Sequence, residues 1–99
     1  PLYRLIQIDV KHKDLTKLQG ISSSFAKNLR AQFGNRVLGP EAPMIGRIRN
    51  YYIQTILLKV EKEGISVNKI KEALQRILID FEALPMSKGV IMHIDVDPY

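Results

Sequence analysis

Residues 47–60, RIRNYYIQTILLKV (Arg47–Val60), decide how the chain is read. They are rich in Tyr51, Tyr52, Ile53, Thr55, Ile56 and Val60, the aromatic and β-branched types that suit a pleated surface, and they predict one long strand. Upstream, Gly39–Gly46 (GPEAPMIG) packs two prolines and two glycines into eight residues and reads as a loop. Before that loop, Arg36-Val37-Leu38 predicts a short strand. Downstream, Lys62-Glu63-Gly64 turns the chain and Ser66 is placed to cap a helix.

Two helices flank this centre. Leu15, Leu18, Ile21, Phe25, Leu29 and Phe33 recur at spacings of three and four and form one helical face. Asp14 suits its N-cap and Gly34-Asn35 its stop, although Gly20 and Ser22-Ser23-Ser24 are poor helix formers. Val67, Ile70, Leu74, Ile77, Leu78, Phe81 and Leu84 make a second face, which Pro85 ends. At the extremes the period changes to two. Leu2, Ile6, Ile8 and Val10 alternate with polar positions until a polar turn, Lys11-His12-Lys13-Asp14. After Ser87-Lys88-Gly89, Val90, Met92, Ile94 and Val96 alternate with Ile91, His93, Asp95 and Asp97 and predict a final strand.

The order is therefore β-α-β-β-α-β. Two one-sided helices are buried most simply on one face of a four-stranded antiparallel sheet, an α+β, ferredoxin-like arrangement. The other sheet face is left open to solvent, a nucleic acid or another domain.

With 99 residues the chain holds one domain, residues 1–99. It begins at Pro1 without an initiator methionine and reads as a piece of something longer. The absence of cysteine excludes disulfides, thiolate metal sites and thiol catalysis. The apolar run Ile56-Leu57-Leu58 is far short of the roughly 20 residues of a membrane span, and no basic-then-apolar leader is present. The net charge of +5 hides an asymmetry. Residues 1–50 carry nine Lys/Arg against three acids, whereas residues 51–99 carry six against seven. A basic first half points to a one-sided positive surface and a polyanionic partner.

Catalytic chemistry finds no support. His12 and His93 lie in different elements without a serine partner, and Ser22–Ser24 sit in a helix rather than on a strand-to-helix elbow. Gly39 and Gly46 bracket six residues and are followed by Arg47-Ile48, so no phosphate loop is formed. An acylphosphatase would need a glycine-rich cradle with an arginine after its first strand, where this chain has Asp9-Val10-Lys11-His12-Lys13-Asp14. His93, Asp95 and Asp97 share one strand face about 6.8 Å apart, too wide to close on one ion without a third element. No metal site and no catalytic residue are assigned.

What remains is Arg47, Arg49 and Tyr51, which share one strand parity, while Ile48 and Tyr52 share the other. With Tyr52, Gln54, Ile56, Leu58 and Val60 turned to the helices, these three would stand together on the open face. Guanidinium groups grip phosphate and a tyrosine face stacks on an unpaired base. Packing of Tyr51 on a neighbouring domain, with solvated arginines, is the competing reading.

Val37-Leu38-Gly39-Pro40, Arg47-x-Arg49-x-Tyr51, Ile56-Leu57-Leu58-Lys59 and the closing Ile94-Asp95-Val96-Asp97-Pro98 resemble the C-terminal domain of primosomal protein N′, the PriA family. The opening Pro1-Leu2-Tyr3-Arg4-Leu5-Ile6 is similar to the junction at which that family's helicase core passes into this domain. The resemblance covers essentially the whole chain. It implies a module of a bacterial, cytoplasmic, nucleoid-associated replication-restart protein: a superfamily 2, ATP-dependent 3′-to-5′ DNA helicase that recognises stalled forks and starts primosome reassembly. The family's domain is itself like a ribosomal small-subunit protein of ferredoxin-like type. ATP, Mg and Zn sites are implied only for the upstream parts of such a protein, and no cofactor for these residues.

The resemblance further implies DNA binding and a pocket for the acidic tail of single-stranded DNA-binding protein. In some members that pocket uses an arginine and a glutamine on the second helix, where this chain has Val67 and Lys71; Lys69 and Lys71 supply positive charge there. The resulting expectation is a non-catalytic module that contacts forked or single-stranded DNA by structure rather than sequence. Arg47, Arg49 and Tyr51 would make those contacts with support from Lys11 and Lys13, while the module docks on the helicase core of the same chain. The alternative is a protein-interaction module with little DNA affinity of its own.

Overall fold

The computed structural model describes residues 3–41, 47–61 and 67–96. Strand β1 (Tyr3–His12) is followed by helix α1 (Leu15–Phe33), a 3-10 turn at Gly34–Arg36, strand β2 (Val37–Glu41), strand β3 (Arg47–Ile48) and strand β4 (Tyr51–Glu61). Helix α2 (Val67–Glu82), a 3-10 turn at Pro85–Ser87 and strand β5 (Ile91–Val96) complete the order. The sheet runs β2-β4-β1-β5 with antiparallel neighbours, and β3 pairs with β4 on the edge that β2 also uses. This is the ferredoxin-like α+β topology, with the two-residue β3 added to its four-stranded frame.

The alternation in β1 sets the core. Ile6, Ile8 and Val10 are fully buried and stand opposite Leu58, Ile56 and Gln54 on one side and Val96, Ile94 and Met92 on the other. On α1, Leu18, Ile21, Phe25 and Leu29 close over that face, and α2 adds Ile70, Leu74 and Phe81. Phe25 and Phe81 join the helices edge to face, with ring centroids 5.2 Å apart. Each such side chain contributes about 1.5–3 kcal/mol by leaving water.

This packing carries α1 through its weak helix formers. The helix includes Gly20 and all three serines, with Ser22 completely buried. Asp14 caps it, its side chain accepting from the Lys17 N–H at 3.1 Å, and the Gly34 N–H closes its other end on the Arg30 carbonyl. Leu15, expected on the buried face, is 41% exposed, like its first-turn neighbours Thr16 and Lys17.

Three further expectations are corrected. Lys11 and His12 are not in a turn but complete β1, where Lys11 pairs with Ile53 and Ile91 and His12 with Tyr52. Gly39–Glu41 belong to β2 rather than to the loop; the register shifts between Leu38 and Glu41, and the Gly39-Pro40 peptide is cis. At Gly39, φ is 100° and an added Cβ would stand 2.8 Å from the Thr55 carbonyl oxygen, so the bulge lies directly on β4 and admits only glycine. The Arg30 guanidinium donates to the Gly39 carbonyl and ties α1 to that bulge. Residues 42–46 of the predicted loop and the predicted Ser66 cap lie outside the described residues.

Arg47–Val60 is not one strand. Arg49 (φ 53°) and Asn50 (φ 70°) form a two-residue turn, and β3 folds back on β4 with Arg47 opposite Tyr52 and Ile48 opposite Tyr51. Positive φ at both central residues is the geometry whose twist matches that of the flanking strands.

Candidate nucleic-acid interface

Because the chain reverses at Arg49-Asn50, Arg47, Arg49 and Tyr51 do not form a row along one strand. Arg49 occupies the tip of a hairpin, exposed, beside the first residue of β4. Arg47 stands on the partner strand, opposite Tyr52. The prediction for Tyr52 holds, since it packs against the core.

The structure instead joins Tyr51 to a lysine. The Lys13 ammonium lies 5.6 Å from the Tyr51 ring centroid, within the range of a cation–π contact. Register explains the meeting. His12 pairs with Tyr52, so the next residue of β1's continuation arrives beside Tyr51. Lys11 is half-buried on the open face two residues earlier, over Ile53, which is only 7% exposed. Lys11, Lys13, Arg49 and Tyr51 thus gather at the end of the sheet where β1 finishes and β4 starts. Lys69 and Lys71 are exposed on the first turns of α2, which follows the far end of β4. Strand β4, eleven residues and roughly 33 Å long, lies between the two groups in the chain.

The centre of the open face has the opposite character. Asp9 accepts from Thr55 Oγ1 at 2.9 Å and from Gln7 Nε2 at 3.1 Å, and it stands opposite His93. Asp95 is exposed beside Gln7 in the register. Leu38 and Ile91, 42% and 46% exposed, flank this polar centre. Asp97 lies outside the described residues, and among those described no three His, Asp or Glu side chains come together as metal ligands. A phosphate backbone laid across this face would meet two carboxylates. The end of the sheet offers it three cations and an aromatic ring.

One residue that builds this end is absent from the sequence-based site. His12 is 8% exposed, and its Nδ1 accepts from the Asp14 N–H at 2.9 Å. With Nδ1 accepting, the ring proton resides on Nε2, which donates to the Lys88 carbonyl at 3.2 Å. The imidazole is therefore a strut between the entrance of α1 and the turn before β5. Gly89 accommodates it, with φ 83° and a position where an added Cβ would stand 3.2 Å from Nε2. The alternation of Ile6, Ile8 and Val10 already pointed to this role, since His12 continues their parity.

No described helix is long and apolar enough to cross a membrane. In backbone geometry the chain is similar to a de novo designed protein, Foldit4, with a TM-score of 0.67, 10% identity and coverage of 98% of both chains; that likeness speaks to the fold alone. In sequence it is 29% identical over 101 residues to the replication restart protein PriA of Bacillus subtilis (strain 168). The match takes in the whole of this chain and 12% of that protein's length. The family model of the primosomal protein N C-terminal domain matches residues 1–99. The motifs, the sheet order and this end-to-end match agree, and the chain belongs to the primosomal protein N C-terminal domain family.

Proposed function

We propose that these residues form a non-catalytic DNA-binding and docking module of a replication-restart helicase, an ATP-dependent 3′-to-5′ enzyme acting at stalled forks to begin primosome reassembly. The observation that carries the reading is the convergence of Lys11, Lys13, Arg49 and Tyr51 at one end of the sheet. Lysine and arginine neutralise phosphates there while the Tyr51 ring, already under a cation, presents a face to an exposed base. Arg47, in the same hairpin, adds a further phosphate contact. Such contacts fix position without reading bases, so forked and single-stranded DNA are preferred over any sequence. ATP, Mg and Zn serve other parts of the helicase, and this module works without a cofactor.

A second reading is favoured by the open face, whose exposed Leu38 and Ile91 around a carboxylate centre suit a protein surface better than a nucleic acid. In it, the module packs on the helicase core through that face and takes the acidic tail of single-stranded DNA-binding protein on Lys69 and Lys71. Fluorescence anisotropy with labelled fork, duplex and single-stranded DNA across a salt series separates the two. The DNA reading expects a fork preference and a steep salt dependence. Absence of binding at low salt, with retention of the tail peptide, would transfer the function to the second.

A further inference from the structure

An open groove of about 440 Å³ lies between α1 and the turn before β5, lined by Lys17, Gly20, Ile21, Pro85, Met86 and Lys88. Its floor is apolar, with Ile21 buried and Met86 45% exposed, and its charged walls are both lysines. The volume is that of a small-molecule site. The groove adjoins the Tyr51 end through His12: one ring nitrogen bonds the residue after Lys13, and the other bonds Lys88 itself.

Gly20 is the unexpected member. It lies inside α1, has no left-handed φ, and a Cβ built on it would meet nothing within 4 Å. Glycine weakens a helix interior, and neither backbone conformation nor packing requires it here. The one space it keeps clear is the groove.

We infer that this groove is a subsite for one unpaired nucleotide of single-stranded DNA, with the base on Ile21, Pro85 and Met86 and its flanking phosphates on Lys17 and Lys88. The inference rests on the DNA-binding reading and extends the strand's path from Tyr51 and Lys13, past His12, into the groove. Nucleic acid is favoured over an acidic peptide because the two groove lysines lie at the same end of the fold as Lys13 and Tyr51, joined to them through His12, with the Asp14 carboxylate at the α1 N-cap lying between.

The test titrates hexathymidylate and a duplex of the same length into the 99-residue chain, reading anisotropy and the Met86 methyl resonance. Gly20→Leu fills the groove and improves the helix, so loss of binding cannot be ascribed to unfolding. It should weaken hexathymidylate about tenfold and leave the duplex unchanged. The double change Lys17→Gln/Lys88→Gln should reduce the single-strand salt slope by about 1.4, two phosphate contacts' worth. Wild-type affinity in Gly20→Leu overturns the subsite. If Lys13→Ala still weakens binding in that case, the DNA-binding reading survives it; if the unaltered chain binds neither DNA, both fail together. A Met86 methyl that responds to an acidic peptide but not to hexathymidylate assigns the groove to protein and overturns the proposal.

Discussion

Strand β1 carries two surfaces of opposite character on the same uncovered face of the sheet. At its middle, Asp9 is held by Gln7 and Thr55 and faces His93; at its end, Lys11 leads to Lys13, which lies over Tyr51. Two to four residues separate a satisfied carboxylate from a cationic platform. The uncovered face is therefore not one binding surface. Its centre spends its polar groups on one another, and its end gathers Lys11, Lys13 and Arg49 around Tyr51.

The most severe way to disturb this contrast is to remove the strut behind the basic end. His12→Ala leaves the Asp14 N–H and the Lys88 carbonyl without their partner and opens a ring-sized hole, costing about 3 kcal/mol in urea denaturation. Removing cations acts on binding instead. Lys13→Ala/Arg49→Ala should lower the duplex salt slope by about 1.8 while stability stays within about 0.5 kcal/mol. The matched change at the centre, Asp9→Ala, should cost about 1 kcal/mol of stability from the lost Thr55 and Gln7 bonds and leave the DNA salt slope unaltered.

Two smaller effects refine the same comparison. Ser22 Oγ is buried without a hydrogen-bond partner among the described residues, so Ser22→Ala should raise stability by about 1 kcal/mol without touching DNA affinity. Arg49 bears φ 53°, a conformation costly for a residue with a Cβ. Arg49→Gly removes a penalty of about 1–2 kcal/mol and adds about 0.4–1 kcal/mol of unfolded-chain entropy. The net is a slightly more stable hairpin that binds DNA less well. A variant that is both more stable and weaker in binding is what a cation held at a strained turn tip for function should give.

Most of the frame was legible because burial imposes a period. Ile6, Ile8 and Val10 announce β1, Leu18 to Leu29 announce α1, and Met92, Ile94 and Val96 announce β5, each through one face packed on the core. The hairpin at Arg49-Asn50 was not legible. Neither residue is glycine, the flanking residues all suit strands, and only pairing with Tyr51 and Tyr52 reveals the reversal. That one turn also changes the site, replacing an Arg47-Arg49-Tyr51 row with a cluster drawn from two separate stretches, one near the start of the sequence and one at its middle. Lys11 and Lys13 were recognisable as cations; the contact of Lys13 with Tyr51 depends on a register between β1 and β4 that no local pattern encodes. Gly39 was read as loop punctuation, whereas its requirement comes from the Thr55 carbonyl across the sheet.

The central claim is that DNA meets the end of the open face, at Lys13 and Tyr51, and not its centre around Asp9. Amide chemical-shift mapping of the chain titrated with forked DNA tests it residue by residue. The account predicts perturbations centred on Lys11, Lys13, Arg49 and Tyr51, with Asp9, Thr55, His93 and Asp95 unmoved. Perturbations centred on those four, or on Lys69 and Lys71, would contradict it.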